Sequence, residues 1–128
     1  MATVISSLSV KGEFLQHATE EQVHADQLAE RIAQLGGEPN LSPDGLLSRS
    51  HSEYVEGESL VEMITEDLIA ERIAIDSYRK MVIYVGADDP TTRTVLEGIL
   101  AQEEEHAEDL ASLLKELSPH AHVPDPDR

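Results

Sequence analysis

Three stretches of this chain place apolar residues at alternating steps of three and four, and a glutamate breaks each stripe near its middle. In the last stretch Leu96, Leu100, Ala107, Leu110, Leu114 and Leu117 keep the helical step, and carrying it through the gap lands on Glu103. In the first, Phe14, Ala18, Ala25, Leu28, Ile32 and Leu35 bracket Glu21; in the second, Leu60, Ile64, Leu68, Ile75, Tyr78, Val82 and Val85 bracket Glu71. Stripes of this period belong to amphipathic helices that bury one face, so the fold class is all-α, a bundle of three long helices. An ionised carboxylate on a buried stripe is costly unless a partner compensates it. All three interruptions therefore need one explanation.

Local signals set the boundaries. The first helix spans about residues 10–35 and stops at Gly36-Gly37, with Pro39 barring continuation. The second, about 60–85, opens on Ser59 and Glu62 as a capping box and ends at Gly86. The third, about 90–117, begins with Asp88-Asp89-Pro90, an Asp cap before a proline at the first helical position. The short link between the last two predicts antiparallel neighbours. The long link over 38–58 predicts a crossover along the bundle, which would leave the first two helices parallel. Residues 1–9 are β-branched and small polar, enough for a turn of helix at most. The reading is one domain over 1–117 and a disordered tail over 118–128, where three prolines accompany His120 and His122.

Composition narrows the chemistry. With no cysteine among 128 residues, disulfides, thiolate metal sites and thiol catalysis are excluded. No apolar run is long enough to span a bilayer, and the N-terminus lacks the basic start of a signal peptide, so a cytoplasmic location and no membrane partner are expected. A formal net charge of −17 repels nucleic acid and anionic lipid and attracts cations.

Glu21-Gln22-Val23-His24 and Glu103-Glu104-Glu105-His106 are both Glu-x-x-His, with the imidazole one turn beyond a stripe glutamate on the same face. A single Glu-x-x-His is a common accident in a chain with 26 acids and six histidines. Two copies, each at mid-helix on an apolar stripe, with Glu71 interrupting a third, are hard to obtain as solvated surface. Side by side, the helices would bring three glutamates and two histidines to one level. Such groups suit two metal ions bridged by carboxylates, each with one histidine, as in di-iron carboxylate bundles. Oxygen and nitrogen donors without thiolate fit iron, manganese or zinc. Glu20, Glu104 and Glu105 lie off the stripe, as surface or cavity lining. His17 reads as a structural or exposed histidine in preference to an accessory metal ligand, and Tyr78 as core in preference to a redox relay.

These residues resemble a known family. His24-Ala25-Asp26, Ala29-Glu30-Arg31-Ile32 and Leu35-Gly36-Gly37-Glu38-Pro39-Asn40 resemble the second helix and following turn of bacterioferritins. Asp67-Leu68-Ile69-Ala70-Glu71 resembles their third helix, and Ile99-Leu100 through Glu103-Glu104-Glu105-His106 their fourth. The resemblance implies a ferritin-like bundle that oxidises Fe(II) with O₂ or peroxide at a dinuclear site, and protomers assembled into an iron-storing shell. It implies Glu21 and Glu103 as bridging ligands, His24 and His106 as ligands to one ion each, and Glu71 as a terminal ligand. Where the family places its haem-binding methionine, this chain has Gln22, so haem is not expected.

The resemblance starts at the end of the family's first helix, so that helix, with its terminal glutamate, is expected to be missing. A bundle short of one helix exposes apolar stripes on two neighbours. At about 25 cal/mol per Å², several hundred Å² of lost interface amounts to roughly 10 kcal/mol, comparable with a whole domain's stability. The isolated chain is therefore expected to associate with further copies or to be marginally folded. The function expected is that of a ferroxidase and iron-storage subunit. The alternatives are a non-catalytic truncated protein that acts in assembly or metal buffering, and, with less support, a di-iron oxygenase.

Overall fold

The computed structural model describes residues 2–40, 59–117 and 127. Three helices form: α1 (Ala2–Gln34), α2 (Leu60–Val85) and α3 (Pro90–Leu117). All of the expected tail over 118–128 except residue 127, and most of the link over 38–58, lie outside the described residues. Among those described, no helix is long and apolar enough to cross a membrane.

The second and third helices run as the sequence predicts, but α1 starts eight residues before the expected Val10. The residues ahead of Val10 are poor helix formers, yet neither proline nor a left-handed glycine interrupts them. Val10 itself is sealed in a cluster with Ile64, Leu68, Leu110 and Leu114, so the chain enters the core already helical. Tertiary packing outweighs propensity here.

The caps are as read. Gly36 adopts φ 86°, and Gly37 N–H reaches back to the Ile32 carbonyl at 2.9 Å, closing α1. Ser59 and Glu62 form both halves of the capping box on α2. At the start of α3, Asp89 accepts from Thr92 N–H at 3.1 Å and is also held by Arg31 of α1 at 3.1 and 3.2 Å, while Arg31 Nε donates to Thr92 Oγ1 at 2.8 Å. The Thr92 hydrogen bonds and then Arg31 hold the Asp89 carboxyl down at about 2. Its contribution to stability is present above its ordinary value of 3.8 and lost as pH falls through about 2. Asp89→Ala should therefore melt below the parent chain at neutral pH, and the gap should close between pH 4 and pH 2 in thermal denaturation followed by circular dichroism.

These contacts fix direction. Val10, early in α1, meets Ile64 and Leu68, early in α2, and Leu110 and Leu114, late in α3; Arg31, late in α1, meets the start of α3. Helices α1 and α2 are thus parallel and α3 runs against both, as the link lengths predict. Helix α3 is central, packing along α2 and, less extensively, along α1.

The first apolar stripe differs from its expected burial. Ala18, Glu21, Ala25, Ile32 and Leu35 are exposed, and α1 turns Val10, His17, His24 and the half-buried Arg31 toward α3 instead. Those four recur every seven residues on one face. Phe14 of the α1 stripe packs against the Val10 cluster and Leu28 is half-buried, while the rest of the stripe lies on the side that α1 and α2 leave open, uncovered by the described residues. The stripes of α2 and α3 are buried as expected, with Ile64, Leu68, Glu71, Ile75 and Val82 on one and Leu96, Glu103, Leu110 and Leu114 on the other. Every exposed large hydrophobic residue among those described lies on α1, its terminal turn or α2, and none on α3.

Candidate metal centre

The buried stripes of α2 and α3 carry Glu71 and Glu103 into the interior because the flanking Leu68, Ile75, Ile99 and Leu110 are packed there. His106 follows one turn after Glu103, and α1 brings His24 and Glu21 from the opposite side. The structure thus brings all five residues of the expected set to one level. Glu71, Glu103, His24 and His106 are buried; Glu21, its side chain 46% exposed, sits at the rim on the open side.

One donor atom from each of Glu21, Glu71, Glu103 and His106 falls within a sphere where all lie 4.8 Å or less apart. His106 Nδ1 stands 3.3 Å from Glu21 Oε1, 3.8 Å from Glu71 Oε1 and 3.9 Å from Glu103 Oε1. His24 Nδ1 stands 2.9 Å from Glu103 Oε1 and 3.6 Å from Glu21 Oε2. The two oxygens of Glu21 are therefore shared out between the two imidazoles. Donors around one ion with bonds of about 2.1 Å sit roughly 3 to 3.5 Å apart, close to these spacings.

The outer nitrogens of both imidazoles are tied across the helix interface. Nε2 of His106 contacts Glu20 Oε2 of α1, and Nε2 of His24 contacts Gln102 Oε1 of α3. Each partner precedes the other helix's motif glutamate by one residue, so the two ties are reciprocal. Facing an acceptor, Nε2 carries the hydrogen in each ring, which assigns the Nδ1 lone pair to the interior.

The interior then lacks donors. His24 Nδ1, His106 Nδ1, Glu103 Oε1 and Glu71 Oε2 are buried without a hydrogen bond, and even the 2.9 Å approach of His24 to Glu103 lacks hydrogen-bond geometry. Acceptors facing acceptors in a dry site require protons or a cation between them. The carboxylates reflect this. Burial, and then its closeness to Glu103, pushes Glu21 up to about 7. Burial raises Glu71, and burial followed by contact with Glu71 raises Glu103. Tyr78, read from the sequence as core, is half-buried, and burial together with Glu103, Glu21 and Glu71 raises its phenol. On donor type, spacing and orphaned acceptors, the residues fit divalent transition ions.

Sequence reasoning assigned Glu20 to the surface or cavity lining and passed over Gln102. A search for residues on one helix's own stripe does not see partners that reach the next helix. The signal was present all the same, because both motifs read Glu/Gln-Glu-x-x-His (Glu20-Glu21…His24 and Gln102-Glu103…His106). Glu20→Ala should lower affinity for Co(II), read by isothermal titration calorimetry, by about 10- to 100-fold, the usual cost of losing a histidine's outer partner.

A family model described as a ferritin-like domain matches residues 5–119. The chain is 32% identical over 104 residues to DNA protection during starvation protein 2 of Bacillus anthracis, an alignment that covers 77% of this chain and 68% of that protein. It also superposes on the dodecameric thioferritin of Bacteroides fragilis, a bacterioferritin-related protein, with a TM-score of 0.78 and 33% identity over 88% of this chain and 68% of the other. With helices, directions and sequence in agreement along almost its whole described length, this chain belongs to the ferritin-like family.

Proposed function

We propose that this chain binds two Fe(II) ions among Glu21, His24, Glu71, Glu103 and His106 and oxidises them with O₂ or peroxide, as a subunit for iron oxidation and storage. The observation that carries this reading is the set of buried acceptors from three helices facing one another with no donor between them. Glu21 and Glu103 serve as the bridging carboxylates, since each has oxygen within reach of both imidazoles. His24 and His106 bind one ion each through Nδ1, and Glu71 is terminal to the His106 ion. Fe(II) is the substrate. Each ion gives up one electron, so a pair reduces one peroxide to water with the uptake of protons. The carboxylates balance the added positive charge of the ferric product and exchange protons as ions enter and leave. The acidic surface concentrates Fe(II) near the site, an effect that salt weakens.

The Bacillus anthracis relative is named for DNA protection. With −17 net charge, direct binding to a phosphate backbone is disfavoured, and any protection would come from consuming iron and oxidant. The exposed position of Glu21 favours one rival reading, a metal-buffering protein without turnover. Stopped-flow absorbance after mixing Fe(II) aerobically with the chain separates the two. A near-ultraviolet rise faster than autoxidation, and lost in Glu103→Ala, is the expected result; a rise no faster than buffer alone would leave the buffering protein.

A further inference from the structure

A second group of donors stands beside the centre and is not used by it. His17 of α1 is 5% exposed, and neither of its ring nitrogens has a hydrogen-bond partner. A histidine placed in a core for structure normally ties at least one nitrogen, and leaving both bare in a dry setting is costly. His17 Nε2 points between two carboxylates, at 3.6 Å from Glu13 Oε1 on the preceding turn and 3.6 Å from Asp109 Oδ2 on α3. One donor atom from each of the three lies within 4.8 Å of the others. Both spacings match donors around a single ion with bonds of about 2.1 Å, which lie roughly 3.5 Å apart when tetrahedral.

We propose that Glu13, His17 and Asp109 form a second, mononuclear site for a first-row divalent cation such as Fe(II), Zn(II) or Co(II). One imidazole with two carboxylates selects these ions over Mg(II) and Ca(II), which take oxygen alone. The buried histidine supplies the fixed ligand, and the half-exposed Asp109 and partly exposed Glu13 leave the remaining positions open to water. The placement gives the site a use. The His17 ring stacks on that of His106 at 4.0 Å between centroids with an 18° tilt, so an ion held here waits one ring away from the central cluster. Desolvation, followed by the neighbouring Asp109, raises the Glu13 carboxyl, and a cation between the two acids relieves that crowding. The site stands on residues separate from those of the proposed centre.

The test is the number of Co(II) ions bound per chain, by calorimetry and visible absorbance, in the parent chain and in Asp109→Asn, His17→Gln and Glu103→Ala. Asp109 is at the surface, so its variant keeps the fold even if the buried His17 change disturbs it; circular dichroism checks both. The expected result is one ion fewer in Asp109→Asn and in His17→Gln, and an ion retained by Glu103→Ala that the Glu103→Ala/His17→Gln pair loses. Full parental stoichiometry in both Asp109→Asn and His17→Gln would overturn the proposal. Should Glu103→Ala bind as many ions as the parent while His17→Gln loses one, this site stands and the reading of the central cluster falls.

Discussion

Anaerobic Fe(II) at a hundred times its dissociation constant should raise the melting temperature of this chain by about 10 °C at pH 8, and by about 2 to 6 °C at pH 5 at the same iron concentration. A hundredfold excess of a ligand that binds only the folded state contributes about 2.7 kcal/mol, and a domain of this size gains roughly 4 °C per kcal/mol. The pH dependence comes from the carboxylates. Glu21 rises from its ordinary 4.5 to about 7 in the folded chain, and Glu71 and Glu103 move in the same direction. Between those values the metal-free fold holds more protons than the unfolded chain. Its stability therefore falls as pH rises through that window. Bound metal replaces those protons and removes that slope. At pH 5, two units below the Glu21 value, the ion must displace a proton, a handicap of up to about a hundredfold before solvent screening at the half-exposed side chain reduces it. That handicap, about tenfold to a hundredfold, consumes much of the excess, which is why the gain shrinks. Glu103→Ala should remove the central cluster's share of the gain, and Glu103→Ala/His17→Gln should remove all of it at both pH values. Scanning calorimetry under argon reads all of this; equal shifts at pH 5 and pH 8 would refute the shared-proton description of the site.

In solution the chain should run as an assembly of many times its 14.1 kDa mass. Helix α2 is apolar on two sides, and α1 carries exposed hydrocarbon away from its inner line. Opposite the Val10–His17–His24 line Leu8 and Leu15 stand in water, Leu15 at 61% exposure, with Val23 exposed on the flank; opposite the buried stripe of α2 stand Ile69, Ile73 and Tyr84, the last 91% exposed. Helices apolar on both sides are buried on both sides. Covering these residues with a second copy would remove on the order of 1 kcal/mol of exposure per side chain, or roughly 8 kcal/mol across both helices with the open flank. Association itself costs about 4 to 15 kcal/mol, so a single such contact is weak and many together are needed. Light scattering coupled to size exclusion should show a large species that Leu15→Glu/Ile73→Glu reduces toward the monomer. A parent chain that elutes at 14.1 kDa across the micromolar range would remove the argument.

Much of this was legible from the sequence because α2 and α3 obey simple rules. Their buried stripes are mostly hydrocarbon, so the one carboxylate on each stands out, and Ser59, Gly86 and Pro90 mark their ends. Helix α1 was harder to read. Its inner face carries His17, His24 and Arg31, so the most apolar face of that helix is not the one it buries. Periodicity selected the stripe of Ala18, Ala25 and Ile32, which borders the open side. The expectation of exposed apolar surface on two helices came from the family resemblance, and among the described residues the exposed large hydrophobic side chains fall on α1, its terminal turn and α2. Glu20 and Gln102 went unread because their roles exist only between helices. His17 looked ordinary because a sequence shows neither burial nor the absence of a hydrogen-bond partner.

The crossed ties from Glu20 to His106 and from Gln102 to His24 also bear on how the rods find their alignment. Hydrocarbon surfaces slide past one another with little penalty, since leucine fits leucine at many offsets. A shift of α1 along α3 by even a single turn would sever both ties at once and strand two imidazoles. The vertical setting of the bundle is thus keyed by polar atoms at one height, and the fold by itself already brings the five acceptor side chains level.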